Sequence, residues 1–228
     1  MYVPDIHSVP LRPAGPVVAE KPGEAITSVW PLVDDGDVHI GIWECTRGQY
    51  SSAAVDYDEM MFVADGRATV SHADDSYDLA PGTTWVKSRD WPCTSTVHQT
   101  VRTMYVIDHR AAATAPPAYL SNADDWEIGE TVSHPTPLAG DPKQILRELW
   151  VNNGLEVGVW ECEPGSFGIS RDGFDEVMVI LAGSATMHAT NGHVFALQPG
   201  SVLHTPMGFV GHWVIERTIR KVYVKVMR

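Results

Sequence analysis

The chain has 228 residues, a formal net charge of −13 and a hydrophobic content of 44%. This length suits one large globular domain or two of ordinary size. The acidic balance, without any cluster of Lys and Arg, argues against nucleic acid as a partner, because phosphate binding depends on clustered basic side chains. No apolar run reaches the roughly 20 residues of a membrane span, and the N-terminal residues lack a signal-peptide pattern. We therefore expect a cytoplasmic protein with no membrane partner.

The first half of the chain contains short apolar segments separated by Gly, Pro, Asn and Asp. Examples are MMFVADG, ATVSH and TMYVI. Their length and their Val, Met and Tyr content favour strands over helices. The Ala- and Pro-rich segment at about 109–120 has no strand pattern and is predicted to be a linker.

The second half has the same character, with the apolar segments VMVILAG and KVYVKV. Only DPKQILRELWV, at Asp141–Val151, is compatible with a helix, and it is equally compatible with the entry to a strand. Many short strands separated by closely spaced turns indicate a sandwich or a barrel.

The two halves are copies of one another. IGIWECTRG at Ile40–Gly48 matches VGVWECEPG at Val157–Gly165, an offset of 157 − 40 = 117. After one inserted residue, LAPG matches LQPG, and TVRTMYVI matches TIRKVYVK. Matched blocks in the same order indicate a tandem duplication. The predicted domains are 1–110 and 119–228.

Each copy has an Asp-Glu pair directly before an apolar segment that ends at a glycine. The glutamates are Glu59 and Glu176, and the glycines are Gly66 and Gly183. A carboxylate at the head of a buried strand is costly unless it has a partner. Both glutamates are therefore candidate functional residues, and the alternative is that they bond backbone groups at the rim of the fold.

Glu176, six residues, Gly183 and then LQPGSVLHTPMGFVGHW resemble the two signature segments of the cupin superfamily. The wider pattern is closest to ureidoglycolate- and ureidoglycine-hydrolase-like cupins and to ethanolamine-utilisation-like cupins, many of unknown function. The resemblance implies an all-β bicupin, a tandem duplication of a jelly-roll barrel (double-stranded β-helix). Because cupins include dioxygenases, isomerases, hydrolases, lyases and ligand binders, the resemblance alone selects no reaction.

The usual cupin metal site, as the resemblance implies it, takes two His and a Glu from the first segment and one His from the second. The C-terminal half keeps Glu176, but its other positions fall on Arg171 or Asp172, on Ile169 or Ser170, and on Gly211. The N-terminal half keeps Glu59 and has Cys93 at the second-segment position. Neither set is complete, so no cofactor is predicted, although Mn, Fe, Ni or Zn would suit such donors.

The C-terminal barrel is predicted to carry the chemistry. Strand parity indicates that Ser170, Asp172 and Glu176 face its interior together. Two neighbouring carboxyl groups, one of them buried, form a potential acid–base pair because at least one pKa would be raised. The corresponding interior of the first barrel is more apolar and has one carboxylate, with Ala53, Val55, Glu59, Met61, Cys93 and Ser95.

Further side chains of the C-terminal half are predicted to bind the substrate. Trp213 and Met178 would form an apolar wall, and Arg171 would bind an anionic group. His204 replaces the apolar Val86 of the first copy, which suggests either a cavity or a hydrogen-bonded core histidine.

The first function hypothesis is an enzyme that acts on a small polar, ureide-like or carboxylated metabolite by acid–base hydrolase or lyase chemistry. The first alternative is a non-catalytic protein that binds or senses a small molecule, favoured by the incomplete metal motif. The second is a metal-dependent enzyme with the unusual ligands Glu176, Asp172 and His204. Related cupins often pair through strands, so a homodimer is a further expectation.

Overall fold

The computed structural model describes residues 1–16, 25–110 and 112–228. All regular secondary structure in these ranges is β-strand, arranged in two sheets. The described residues therefore contain no helix that could cross a membrane. By their contacts they divide into two compact units, here called the N-terminal unit (His7–Ala123) and the C-terminal unit (Met1–Ile6 with Asp124–Arg228). The all-β fold predicted from the sequence is confirmed.

The strands are numbered along the chain. Those of the N-terminal unit are β2 (Arg12–Pro16), β3 (Ile26–Asp34), β4 (Val38–Cys45), β5 (Gly48–Ser52), β6 (Asp58–His72), β7 (Asp75–Leu79), β8 (Thr84–Lys87), β9 (Cys93–Asp108) and β10 (Ala118–Leu120). Their order is β10-β8-β6-β9-β4-β3-β2, with β5 paired to β9 and β7 paired to β6.

The C-terminal unit repeats this arrangement. Its strands are β1 (Tyr2–Val3), β11 (Val132–Ser133), β12 (Pro137–Ala139), β13 (Lys143–Asn152), β14 (Leu155–Cys162), β15 (Gly165–Ser170), β16 (Phe174–Ala189), β17 (Val194–Leu197), β18 (Val202–Thr205) and β19 (Val210–Met227). Their order is β1-β18-β16-β19-β14-β13-β11, with β15 paired to β19 and to β12, and β17 paired to β16. The ambiguous Asp141–Val151 segment thus lies mostly in a strand.

One long strand in each unit, β6 or β16, bends at a glycine and pairs along its length with a second long strand, β9 or β19. β6 pairs with β8 before Gly66 and with β7 after it, and β16 pairs with β18 and β17 on either side of Gly183. The register against β9 or β19 shifts at these glycines, whose φ angles are 87° and 83°. Such a bulge bends the strand, which closes the jelly roll.

The opening strands of the two repeats are exchanged between the units. Tyr2 of β1 lies opposite Leu203 of β18, and Tyr119 of β10 lies opposite Trp85 of β8. The two tyrosines are one repeat apart, since 119 − 2 = 117. The first strand of each repeat therefore pairs within the unit that contains most of the other repeat. The two units accordingly meet at residues 6/7 and 123/124 of the chain, whereas the predicted domains end at 110 and begin at 119.

Apolar side chains form the core of each barrel, and some of them also line the cavities described below. Trp213, Phe167 and Met178 belong to the core of the C-terminal unit, and Trp85 belongs to that of the N-terminal unit. The three cysteines are buried and form no disulfide. Burial raises the pKa of the Cys45 thiol to about 11, so it is an unreactive core group.

We expect Gly183→Ala to destabilise the protein much more than Gly192→Ala. An added Cβ at Gly183 would lie 2.0 Å from the carbonyl oxygen of Thr218, whereas nothing lies within 4 Å at Gly192. The φ angles are similar, 83° and 89°, so Gly192→Ala reports the cost of left-handed backbone alone, about 1–2 kcal/mol. Urea unfolding measures both losses, and equal losses would contradict the role of Gly183.

Candidate functional site

The N-terminal unit encloses a cavity of about 420 Å³. This volume is within the range of about 300–1,000 Å³ that is usual for small-molecule sites. Its wall combines apolar surface with hydroxyl groups, a thiol, a carboxylate and an ammonium group. The residues that matter most below are Tyr50, Glu59, Trp85, Lys87, Thr103 and Tyr105.

Glu59 and Lys87 form an ion pair in this wall. They lie opposite each other on β6 and β8, with 2.9 Å between Lys87 Nζ and Glu59 Oε2. Their side chains are 16% and 6% exposed. Burial lowers the pKa of Lys87, but the attraction of Glu59, the smaller effects of Cys93 and Tyr57, and the hydrogen bond to Glu59 together outweigh burial, and the net pKa is raised above the ordinary value. Lys87 therefore remains protonated.

Tyrosine hydroxyls and a thiol surround this pair. Burial raises the pKa of Tyr50 and Tyr57, and raises that of Tyr105 to about 12. Tyr50 is also hydrogen-bonded to Ser95. Burial likewise raises the pKa of the Cys93 thiol. At neutral pH these groups are protonated, so the wall offers several hydrogen-bond donors.

Two polar atoms of the cavity wall lack a hydrogen-bond partner in the described part of the chain. They are Nε1 of Trp85 and Oγ1 of Thr103, on side chains that are almost completely buried. A buried polar group without a partner costs about 1–3 kcal/mol. A ligand would remove that cost if its binding moved the wall enough to bring a hydrogen-bond acceptor to these atoms.

The C-terminal unit has a smaller cavity, of about 150 Å³, and its glutamate is held differently. Arg171 Nη2 lies 3.0 Å from Glu176 Oε2, and Lys221 Nζ donates to Glu176 Oε1. Burial would raise the pKa of Glu176, but the attraction of Lys221 and Arg171 outweighs it, and the pKa is lowered. Both oxygens of this ionised carboxylate are occupied, so Glu176 is poorly placed to accept a proton.

The position of one lysine explains the difference in volume. Thr103 and Lys221 are equivalent, because each lies opposite the tryptophan of its WEC sequence, Trp43 or Trp160. Lys221 Nζ lies 4.8 Å from the ring centroid of Trp160 and 5.4 Å from that of Trp213. A long side chain therefore fills the space that a threonine leaves open in the N-terminal unit.

The predicted parity of β15 is wrong by one residue. Phe167, Ile169 and Arg171 line the cavity, whereas Ser170 and Asp172 are exposed. The hydroxyl of Ser170 donates to Asp172 outside the barrel. Because side chains alternate along a strand, this shift reverses which residues face inward.

The predicted acid–base pair of Glu176 and Asp172 is consequently not assembled. Trp213 does line the C-terminal cavity. Met178 is buried, and its Sδ lies 3.7 Å from Lys221 Nζ. His204 lies outside the cavity, with its Nε2 3.3 Å from Asp175 Oδ2. It is thus the hydrogen-bonded core histidine rather than a cavity residue.

The aspartate of each Asp-Glu pair has a structural duty. Asp58 accepts a hydrogen bond from the backbone N–H of Arg89 at 2.9 Å, and Asp175 accepts one from that of Met207 at 2.6 Å. Both bonds hold the segment that follows β8 or β18. Neighbouring residues of a strand point to opposite faces, so the adjacent glutamate faces the barrel interior.

The residues in the barrels do not fit the metal site that the cupin fold implies. The described ranges contain no group of three or more His, Cys, Asp or Glu side chains that could hold a metal ion. Each interior glutamate is instead paired with an ammonium group, which would repel a divalent cation. In particular, Glu176, Asp172 and His204 do not converge on one point, contrary to the second alternative from the sequence.

Lys87 and Lys221 are the functional candidates that the sequence analysis missed. Each is a charged residue within a short segment of otherwise apolar strand, in TWVK and RKVYV. Lysine is almost never fully buried without a partner. A lysine within an apolar strand segment could therefore have indicated that the interior glutamates are paired with a positive charge.

The geometry of two repeated barrels agrees with the comparison to known families. The model of the EutQ-like cupin domain matches residues 32–105 and 153–223, which is more than half of the chain. The chain belongs to the EutQ-like cupin domain family. The matched regions lie one in each repeat, so the protein is a bicupin, as the sequence resemblance implied.

Solved structures similar to this bicupin share its fold. A protein of unknown function from Pseudomonas syringae pv. tomato superposes with a TM-score of 0.77 at 18% identity, covering 99% of this chain and 98% of that one. A cupin 2 conserved barrel domain protein from Leptotrichia buccalis has a TM-score of 0.67 at 9% identity, covering 96% and 99%. The salicylate 1,2-dioxygenase from Pseudoaminobacter salicylatoxidans has a TM-score of 0.61 at 11% identity, covering 87% and 76%. No curated protein matches the chain.

We expect the bicupin to lose stability as the pH falls through the acid range. Burial raises the pKa of Asp175, but bonds from Arg228, Met207 and His204 outweigh it, and the pKa is lowered, as it is for Glu176. A carboxyl group with a lowered folded-state pKa stabilises the fold above its ordinary value of about 4 and loses that contribution as the pH falls.

Asp175→Asn should therefore lower the Tm at neutral pH and flatten its decline between about pH 7 and pH 3. Asp172→Asn is the matched control, since Asp172 is exposed and should keep the wild-type profile. Thermal unfolding followed by circular dichroism measures both. If the Tm of Asp175→Asn fell with pH as steeply as that of the wild-type protein, Asp175 would not be a source of the acid sensitivity.

Proposed function

We propose that this bicupin binds a small polar metabolite in the barrel of its N-terminal unit and transforms it by acid–base chemistry. The observation that carries the proposal is the cavity of about 420 Å³, which is lined by the Glu59–Lys87 pair and by Trp85 and Thr103, each with a buried polar atom that lacks a partner among the described residues. The sequence pattern favours the C-terminal barrel, but the volume and the free hydrogen-bonding capacity favour the N-terminal one.

Glu59 is the group suited to accept a proton from the substrate. Lys87 holds its Oε2, and the carboxylate retains exposure toward the cavity. The ammonium of Lys87 would stabilise the negative charge that develops on the substrate when the proton leaves. Fixed charges inside a barrel are effective for this purpose because they need no reorganisation.

A ureide or a carboxylated compound suits the donors of the wall. The indole N–H of Trp85 and the protonated hydroxyl of Tyr105 can each donate to a carbonyl or carboxylate oxygen. Aromatic side chains, including Trp43 and Tyr50, offer apolar surface to the rest of the molecule. This combination supports hydrolase or lyase chemistry on such a compound.

A non-catalytic binding or sensing protein is the second candidate. Trp85 Nε1 and Thr103 Oγ1 favour ligand capture whether or not a reaction follows, since both atoms gain a partner on binding alone. The two candidates differ in whether product is released.

We expect Glu59→Gln to reduce turnover by about 10²–10⁴-fold, because an amide cannot accept the proton. Ureidoglycolate, salicylate and oxalate are the compounds to test with the wild-type protein, with products separated by chromatography. Glu44→Gln is the matched control, since Glu44 is also part of an ion pair, with Arg102 at 3.4 Å, but does not line the cavity. Full turnover by a folded Glu59→Gln protein would remove the acid–base role.

We expect Thr103→Val to weaken binding of the same compounds by about fivefold to tenfold, since the hydroxyl that would bond the ligand is lost. Thr84→Val is the matched control, because Thr84 Oγ1 is also buried and lacks a partner within the described ranges, but Thr84 lies outside the cavity lining. Isothermal titration calorimetry gives both affinities. Binding without product by the wild-type protein would select the second candidate, and equal affinities in both variants would contradict the site itself.

A further inference from the structure

The cavity of the C-terminal unit is lined by more cations than anions. Arg171, Lys221 and Lys225 line it together with one carboxylate, Glu176, among the described residues. Lys225 is compensated by Glu156, with 2.7 Å between Lys225 Nζ and Glu156 Oε1. Arg171 and Lys221 share Glu176, which leaves one positive charge of this triad without a carboxylate.

This excess charge is buried. The side chains of Arg171 and Lys221 are 8% and 6% exposed. An ion removed from water without a counter-charge costs several kcal/mol even after relaxation of its surroundings. A small anion in the adjacent cavity would supply the missing charge.

The size and the polar groups of the cavity restrict what can enter. A cavity of about 150 Å³ is comparable to one that admits benzene, so only a molecule of a few heavy atoms fits. Gln144 accepts a hydrogen bond from Trp160 Nε1 through its Oε1 at 3.0 Å, so its amide N–H groups can point to a ligand. The faces of Trp160 and Trp213 lie against Lys221 and limit the space beside it.

We propose that the barrel of the C-terminal unit is a binding site for a small carboxylate anion, held by Arg171 and Lys221. This site is separate from the cavity around Glu59 and does not rest on the function proposed above.

Anion binding at the proposed site should depend on the protonation of Lys221. Burial lowers the pKa of Lys221, and the attraction of Glu176 opposes this, while Arg171 and Lys225 lower it further, so that the net pKa is lowered. A bound anion would favour the protonated form. Binding should therefore take up a proton, and the affinity should rise as the pH falls.

Titration calorimetry of the full chain with sodium acetate tests the proposal. Lys221→Met removes the excess charge and leaves Glu176 paired with Arg171, so this variant should fold. We expect its affinity for the anion to fall at least about tenfold and its pH dependence to disappear. Lys143→Met removes a lysine that pairs with Asp141 and lines neither cavity, and this variant should bind the anion like the wild-type protein.

Three results would overturn the proposal: no binding of acetate to the wild-type protein at millimolar concentration, equal binding by Lys221→Met, or loss of binding in Lys143→Met. The last result would show that binding depends on the overall charge rather than on Lys221. Arg171→Gln is an independent test, since it removes the other cation that faces the anion and should also weaken its binding. Thermal unfolding shows whether each variant is folded.

Discussion

The interior glutamate of each barrel imposes the constraint on which the rest of the site depends. An ionised carboxylate inside a barrel needs a cation, because burial alone is too costly. In the N-terminal unit the cation is Lys87, which lies opposite Glu59 on the neighbouring strand. In the C-terminal unit Thr205 occupies the position opposite Glu176, and the cations come instead from β19 and from the turn after β15, as Lys221 and Arg171.

The origin of the cation decides how much space is left. Lys87 extends from the strand beside Glu59, and the equivalent of Lys221 is the short Thr103, so the N-terminal barrel keeps a cavity of metabolite size. In the C-terminal barrel Lys221 and Arg171 occupy the interior, and only a small cavity remains. One duplicated motif thus supports two chemical environments: a balanced ion pair beside a large cavity and a cationic triad beside a small one.

Part of the site could be predicted from the sequence, because the side chains that face the barrel interior alternate along each strand and are only a few residues apart. The inward position of Glu59, Met61, Cys93 and Ser95 is confirmed, since all four line the N-terminal cavity, whereas Ala53 and Val55 do not line it and Ser52 does. The inward position of Asp172 is wrong, because parity was counted from a metal motif whose histidines are absent, and Arg171 takes the interior place. A one-residue error is enough to exchange a carboxylate for a guanidinium, which reverses the charge of the wall.

The sequence by itself determined the tandem duplication, the strand-rich composition and the two bend glycines, because each of these depends on residues that are close together or repeat at a constant offset. Only the tertiary structure decided which cation meets each glutamate and which unit receives each opening strand. Glu176 and Lys221 are separated by 45 residues, and β1 pairs with a strand about 200 residues away. Such pairs are set by the closure of the sheets in three dimensions, which no local pattern records.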